Sequence, residues 1–328
     1  MKAIKLFTMA ALATAVFASC SNEDGLPQSN YPADNVVRIM TSVDGMNTRA
    51  SYGNSTDKLK SFGFCIKNAN SEKYTYDNIK VSQKGYNWIP ATQMLWQNST
   101  TAVDILAYAP YQETTEDANG KVKVFGKTDY AFSVKEDQSN AEDYSSDLIV
   151  FKQTGFTPVL ELNTSKAVEV AFTHLLSQLN LIIELRDQFN TNNNTVTKGF
   201  VTDVKVNGTI ISSKVDFSAS PISVQVDGTQ TAAITPETTG FTPAENATAH
   251  AVFNYSAIVI PQTVAAGNFS ISFKVNNTEY IWTATDAVTF ESGKKHELHL
   301  LAGKDVVQGG AISAIPWGDE TITEKETD

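Results

Sequence analysis

The sequence predicts an all-β protein of two tandem β-sandwich domains behind an export signal. Short runs of Val, Ile, Phe, Tyr and Thr recur along nearly the whole chain, separated by Gly, Asn, Asp, Ser and Pro clusters. Many short strands at regular spacing form the pattern of sandwiches. No segment carries a long amphipathic helical pattern. The chain has 328 residues, and at roughly 100–200 residues per domain that length corresponds to two domains. With 41% hydrophobic and 19% charged residues it has the apolar mass for packed cores and is not a disordered chain. A net charge of -11 argues against a nucleic-acid partner, whose phosphates require a basic surface.

Residues 1–20 read MKAIKLFTMAALATAVFASC. Lys2 and Lys5 form a positive start, and 6–18 an apolar run. The run is shorter than the roughly 20 apolar residues that cross a bilayer, so it reads as a signal peptide. Ala18 and Ser19 precede Cys20, and small-small-Cys after a short apolar run is a lipobox. It predicts a signal peptide over 1–19, cleavage between Ser19 and Cys20, lipid on Cys20 and a flexible leader over 20–35. Acyl chains contribute roughly 0.8 kcal/mol per buried methylene, so the lipid would anchor the precursor to a membrane; residues 21–24 (SNED), with no Asp directly after the cysteine, resemble the acidic tether of outer-membrane lipoproteins. With Cys20 acylated, Cys65 has no disulfide partner. It lies in the apolar run SFGFCI and reads as a buried, inert thiol.

The first half offers candidate strands at 36–43, 59–66, 79–82, 94–97, 103–108, 122–125, 130–134 and 148–151. The second half offers 168–172, 179–185, 201–206, 210–215, 222–226, 249–260, 269–275, 280–284, 296–301 and 311–315. In 269–275, Phe269, Ile271, Phe273 and Val275 alternate with Ser270, Ser272 and Lys274, as in a half-buried antiparallel strand. Asn207-Gly208 reads as a two-residue hairpin turn. One or two helical turns are expected over 174–178. The Gly/Pro/Asn-bearing stretch 154–165 suggests domains at 36–160 and 161–328; the polar stretch 190–198 is the other candidate boundary and reads as an exposed loop.

No catalytic residue, metal site or cofactor is predicted. Residues 120–128 (GKVKVFGKT) place five residues between their glycines, where a phosphate loop needs four. His296 and His299 resemble the start of a zinc motif, but on a strand a spacing of three puts them on opposite faces. Residues 137–147 are rich in Asp, Ser and Asn but lack the Gly and the final Glu of a calcium loop. Trp96 and Trp317 sit in apolar contexts, which favours core packing over a role as sugar platforms.

Several stretches together resemble the fimbrillin superfamily of type V pilus subunits. They are VVRIMTSVDGMNTRA (36–50), MLWQNSTTAVDILAYAPY (94–111), SSDLIVFK (145–152) and VAFTHLLSQLNLII (170–183), then AIVIPQT (257–263), VTFESGKKHELHLL (288–301) and AISAIPWGDE (311–320). They follow one another in family order along nearly the whole exported chain.

The resemblance implies two transthyretin-like β-sandwich domains, export as a lipoprotein, and assembly with other fimbrial subunits by β-strand addition in support of cell adhesion. It implies that an arginine-specific protease cuts between Arg49 and Ala50, in a Gly- and Asn-containing loop after the first strand. The first strand would then leave, and a neighbouring subunit's strand would take its place. Val37, Ile39, Thr41 and Val43 form the face of that strand that can bury; losing the three aliphatic side chains would cost roughly 5–9 kcal/mol. Residues 318–328 contain one strongly apolar residue, Ile322, and make a weak donor strand. That favours a tip or accessory subunit over a stalk subunit. The alternative reading is an outer-membrane surface lipoprotein that binds glycans through its sandwich domains.

Overall fold

The computed structural model describes residues 30–43, 58–113, 123–190 and 196–317. Strands dominate these residues, and the helical turns at Glu72–Tyr74, Pro158–Glu161 and Asp187–Phe189 are short. The strands are β1 (Ile39–Val43), β2 (Ser61–Lys67), β3 (Tyr76–Lys84), β4 (Asn87–Pro90), β5 (Val103–Ala109), β6 (Tyr130–Ser133), β7 (Ile149–Phe156) and β8 (Val168–His174). The chain continues with β9 (Ser177–Leu185), β10 (Val201–Ile210), β11 (Ser212–Asp216), β12 (Ser223–Val226), β13 (Thr231–Ile234), β14 (Glu237–Thr242) and β15 (Ala251–Val259). It ends with β16 (Gln262–Val264), β17 (Ser270–Val275), β18 (Thr278–Thr283), β19 (Val288–Phe290), β20 (Lys294–Ala302), β21 (Val307–Gly309) and β22 (Ser313–Pro316).

The first sheet has seven strands in the order β1-β8-β7-β5-β2-β3-β4. β2 and β5 are nearly continuous apolar runs because both of their faces are buried. Phe62, Phe64 and Ile66 of β2 join Ile105 and Ala107 of β5 in a core that also takes Val37, Ile39, Val168, Val170 and Phe172. The intervening residues Cys65, Leu106 and Tyr108 face the other way, into a second and larger core. There Tyr108 meets Tyr130 of β6 and Phe217, with ring centroids 5.0–5.7 Å apart. β8, which lies beyond the expected boundary at 160/161, is a member of this first sheet.

The second half supplies a sheet in the order β14-β15-β9-β20-β21, with β22 also paired to β20, and a second sheet β13-β10-β17-β18. β9 lies antiparallel to β15 and parallel to β20. Leu179, Leu181, Ile183 and Leu185 of β9 share the larger core with Phe269, Ile271, Phe273 and Val275, the alternating set read from the sequence. A small sheet, β12-β11-β6, joins the halves, because β6 comes before β7 in the chain but pairs with β11. Lys152 on β7 adds a polar tie, its Nζ donating to the carbonyls of Phe217, Ser218 and Ala219 at 2.9, 2.9 and 2.7 Å.

Several local expectations are overturned. Asn207-Gly208 is not a hairpin: β10 runs through it to Ile210, with a register shift between Val206 and Thr209. Gly208 has φ +92, the backbone such an irregularity requires, and β10 pairs with β13 and β17 while β11 belongs to another sheet. Residues 94–97 make only the isolated bridge Val36–Leu95, although Met94 and Trp96 are buried. Residues 123–125 are not a strand; Val124 N and Phe125 N donate to Asp77 Oδ1 at 2.9 and 3.3 Å. No helical turn forms over 174–178, because β8 runs to His174 and β9 starts at Ser177.

A Cβ on Gly208 would lie 2.0 Å from the backbone oxygen of Asn268, whereas Gly228, with φ +86, has open space around it. Both substitutions to Ala meet positive-φ strain, but only the first also meets backbone. Gly208→Ala is expected to lower stability by at least ~1 kcal/mol more than Gly228→Ala, measured by denaturant unfolding.

Candidate assembly interface

β1 is an edge strand. Among the described residues it pairs with β8 alone, in parallel register from Ile39 opposite Val168 to Val43 opposite Phe172. Regular pairing starts later than the expected 36, because the preceding residues bond elsewhere. Val37 N donates to Met94 O at 3.0 Å and Trp96 N to Asn35 O at 2.8 Å; Val168 N then donates to Arg38 O at 2.8 Å. The chain thus changes partners within a few residues.

Over residues 37–40 the side chains alternate between the two faces. Val37 and Ile39 are 2% and 6% exposed and belong to the first core. Arg38 and Met40 face outward. Arg38 makes a two-pronged contact to Asp34, at 3.0 and 2.7 Å. That contact, with a hydrogen bond from Val36 N, holds the Asp34 carboxyl down at about 2. The pair is solvent-exposed and so contributes little to stability. Thr41 Oγ1 is buried and has no hydrogen-bond partner among the described residues. A buried hydroxyl left unpaired costs roughly 1–3 kcal/mol, so β1 fits its seat imperfectly.

A groove of about 610 Å³ runs between residues 36–40 and 86–90, the latter including β4 at the other edge of the same sheet. Met40 (46%), Tyr86 (104%) and Ile89 (46%) stand exposed. The β4 wall of the groove escapes sequence reasoning because four residues, NWIP, are too short to show a period. Exposed sheet edges present unpaired backbone groups and are natural sites for adding a strand.

Ser19, Cys20, Arg49 and Ala50 lie outside the described residues. Cys65 is fully buried; its thiol lies 3.4 Å from Asp77 Oδ1 and accepts from Asn78 N at 3.2 Å. Burial, reinforced by Asp77, pushes this thiol well up and keeps it unreactive. Trp96 stacks on Phe156 at 5.7 Å. Trp317 stacks on His174 at 4.0 Å, and His174 Nδ1 in turn hydrogen-bonds Asp147 at 2.9 Å inside the protein. Both tryptophans are buried, as core residues should be, while Trp282 is half-buried.

On β20, His296 is buried and His299 exposed, on opposite faces. His296 Nε2 accepts from Glu291 N at 3.0 Å, whereas His299 pairs with Glu184 at 2.6 Å. Burial pushes His296 below its ordinary pKa, against the opposing influence of Glu291. Among the described residues no group of three or more His, Cys, Asp or Glu side chains could hold a metal ion. No helix among them is long and apolar enough to cross a membrane.

Stacked sheets, a strand-paired edge and an open groove beside it define a β-sandwich protein with an accessible edge. A family model described as Fimbrillin-like matches residues 48–317, and the chain belongs to that family. Its fold is similar to that of a candidate cell adhesion protein of Bacteroides ovatus, at 14% identity and TM-score 0.61, covering 88% of this chain and 100% of that one. It is also similar to a candidate cell adhesion protein of Bacteroides uniformis, at 19% identity and TM-score 0.57, covering 87% and 99%. A fimbrial protein of Bacteroides vulgatus matches at 17% identity and TM-score 0.52, covering 85% and 99%. Comparison with curated proteins found no match.

Three outcomes are expected from this geometry. Ile39→Ala should destabilise the protein by about 2–4 kcal/mol, while Thr41→Val should stabilise it by about 1 kcal/mol by removing the unpaired hydroxyl; denaturant midpoints measure both. His296 is held neutral when folded, so the unfolded chain binds more protons between the folded pKa and the ordinary value of about 6.5. Stability contributed by this site therefore rises with pH through that window and is flat above it. His296→Gln should give a shallower rise in unfolding midpoint between about pH 5 and about pH 7.

Proposed function

We propose that the protein is a fimbrial subunit, exported as a lipoprotein on Cys20 and assembled at the cell surface by proteolysis-triggered strand exchange. The single observation that carries the reading is β1: an N-terminal edge strand, bonded regularly to one neighbour, seated with an unpaired Thr41 hydroxyl and bordering an open groove. Its family membership and the fimbrial and adhesion names of its structural relatives support this.

In this scheme an arginine-specific protease cuts between Arg49 and Ala50, which severs the segment containing Val37, Ile39, Thr41 and Val43 from the rest of the chain. Burying Val37 and Ile39 contributes roughly 1.5–3 kcal/mol each, a large share of a typical domain stability of about 5–15 kcal/mol. Loss of β1 would uncover the backbone edge of β8 and the apolar faces of Val168, Val170 and Phe172. A strand from another subunit would restore both, with main-chain bonds supplying affinity and alternate side chains supplying register. A strand carrying an aliphatic residue at the Thr41 position would fit better than β1 does. The subunit would serve as a tip or accessory component, or in the stalk. Burial of Trp96 and Trp317 removes them as glycan platforms, which weakens the alternative reading in the form the sequence suggested.

The test is limited digestion of the unlipidated precursor with an arginine-specific protease, followed by mass spectrometry and size exclusion. A single cut after Arg49 with release of the β1 segment is expected, abolished by Arg49→Lys. Ladders of cleaved protein would indicate a stalk subunit; cleavage without ladders would indicate a tip or accessory subunit. Resistance of Arg49 in the folded protein would overturn the scheme.

A further inference from the structure

A second recess, of about 260 Å³, opens in the second half of the chain between β18, the segment leading into β19, and the start of β22. Its lining includes His296, Trp282, Asp286, Ala287, Ala311 and Ile312. His296 is 1% exposed, yet it reaches this recess. Its Nε2 accepts from Glu291 N, so Nδ1 carries the proton of the neutral ring and is a donor. No side chain among the described residues accepts from Nδ1, and the ring lines the recess. Phe290 holds the imidazole edge-on, with centroids 5.2 Å apart, and fixes its direction.

Trp282 forms one wall. It packs edge-on against Phe269 at 6.3 Å and lies over Gly309, where a Cβ would come within 2.2 Å of the indole nitrogen. Asp286 supplies a carboxylate among the lining residues, and no Lys or Arg lines the recess. A ring donor, an exposed carboxylate acceptor and an indole wall, in a lining of mixed polarity, offer a small polar ligand both hydrogen bonds and an apolar face. The carboxylate without a cation disfavours anions. The size suits one six-membered sugar ring, whose hydroxyls match the donor and acceptor and whose C–H groups suit the indole.

We propose that this recess binds one neutral hexopyranose, the terminal unit of a surface glycan or the free sugar, with His296 Nδ1–H and Asp286 bonding its hydroxyls beside Trp282. The inference deepens the adhesion part of the proposed function by naming a ligand class. It does not depend on strand exchange, which Arg49→Lys tests separately.

The test is saturation-transfer NMR on the full-length protein with methyl glycosides of galactose, glucose, mannose and fucose, and with galacturonate as the charged comparison. Expected is saturable binding of at least one neutral glycoside, with galacturonate at least ~10-fold weaker than galactose where galactose binds. Ala287→Trp, at an exposed position, and Asp286→Ala should each weaken binding at least ~10-fold with thermal unfolding unchanged. A neutral glycan that carries the preferred sugar at its end and binds at least as tightly as the monosaccharide assigns the site to adhesion; binding of the monosaccharide alone assigns it to the free sugar. No saturable binding across the panel, binding that survives both substitutions, or galacturonate binding as tightly as galactose would overturn the proposal.

Discussion

The structure depends on the two-sided burial of β2 and β5. Each strand sends alternate side chains into two different cores: Phe62, Phe64, Ile66, Ile105 and Ala107 to one side, Cys65, Leu106 and Tyr108 to the other. A strand periodicity of two makes any one-residue slip exchange these sets. The first sheet is therefore a wall common to both cores, and its central strands cannot shift without disturbing both. Lys152 and the Tyr108–Tyr130–Phe217 cluster fix the same wall to β6, β11 and the residues after them.

Against that rigid wall β1 is different in kind. Among the described residues it contributes to one core only, forms regular pairs with one strand only, and carries an imperfection at Thr41. In the proposed exchange, removal of β1 would take Val37 and Ile39 out of the first core, while the contacts of β2 and β5 that are shared between the cores would persist. At the other end of β8, His174 is enclosed between Asp147 and Trp317. The neighbour that would lose β1 is thus held independently of it.

The sequence shows most where burial is one-sided. Phe269 to Val275 and the Val37, Ile39, Thr41 series declare their faces by alternation alone. It shows least where a local pattern has two uses. Asn207-Gly208 can make a hairpin or accommodate a kink within a strand; the choice is made by β13 and β17, partners remote in the chain. Met94 and Trp96 are as apolar as strand residues but are buried by a loop crossing the core. The four-residue β4 is too short to show a period, so the β1 face was legible while the far wall of the groove was not. The recess around His296 had no signature either: its residues come from separate strands and the segments between them, and only the fold brings them together.

The parallel pairing of β1 with β8 has a mechanical consequence. Tension entering from the N-terminal side of β1 and leaving through the chain after His174 pulls the two strands in opposite directions along their common axis. Their backbone bonds are then loaded together in shear instead of being unzipped one after another. An intact β1 would resist a tether under load, while a chemical cut beyond its far end would free it without any load at all.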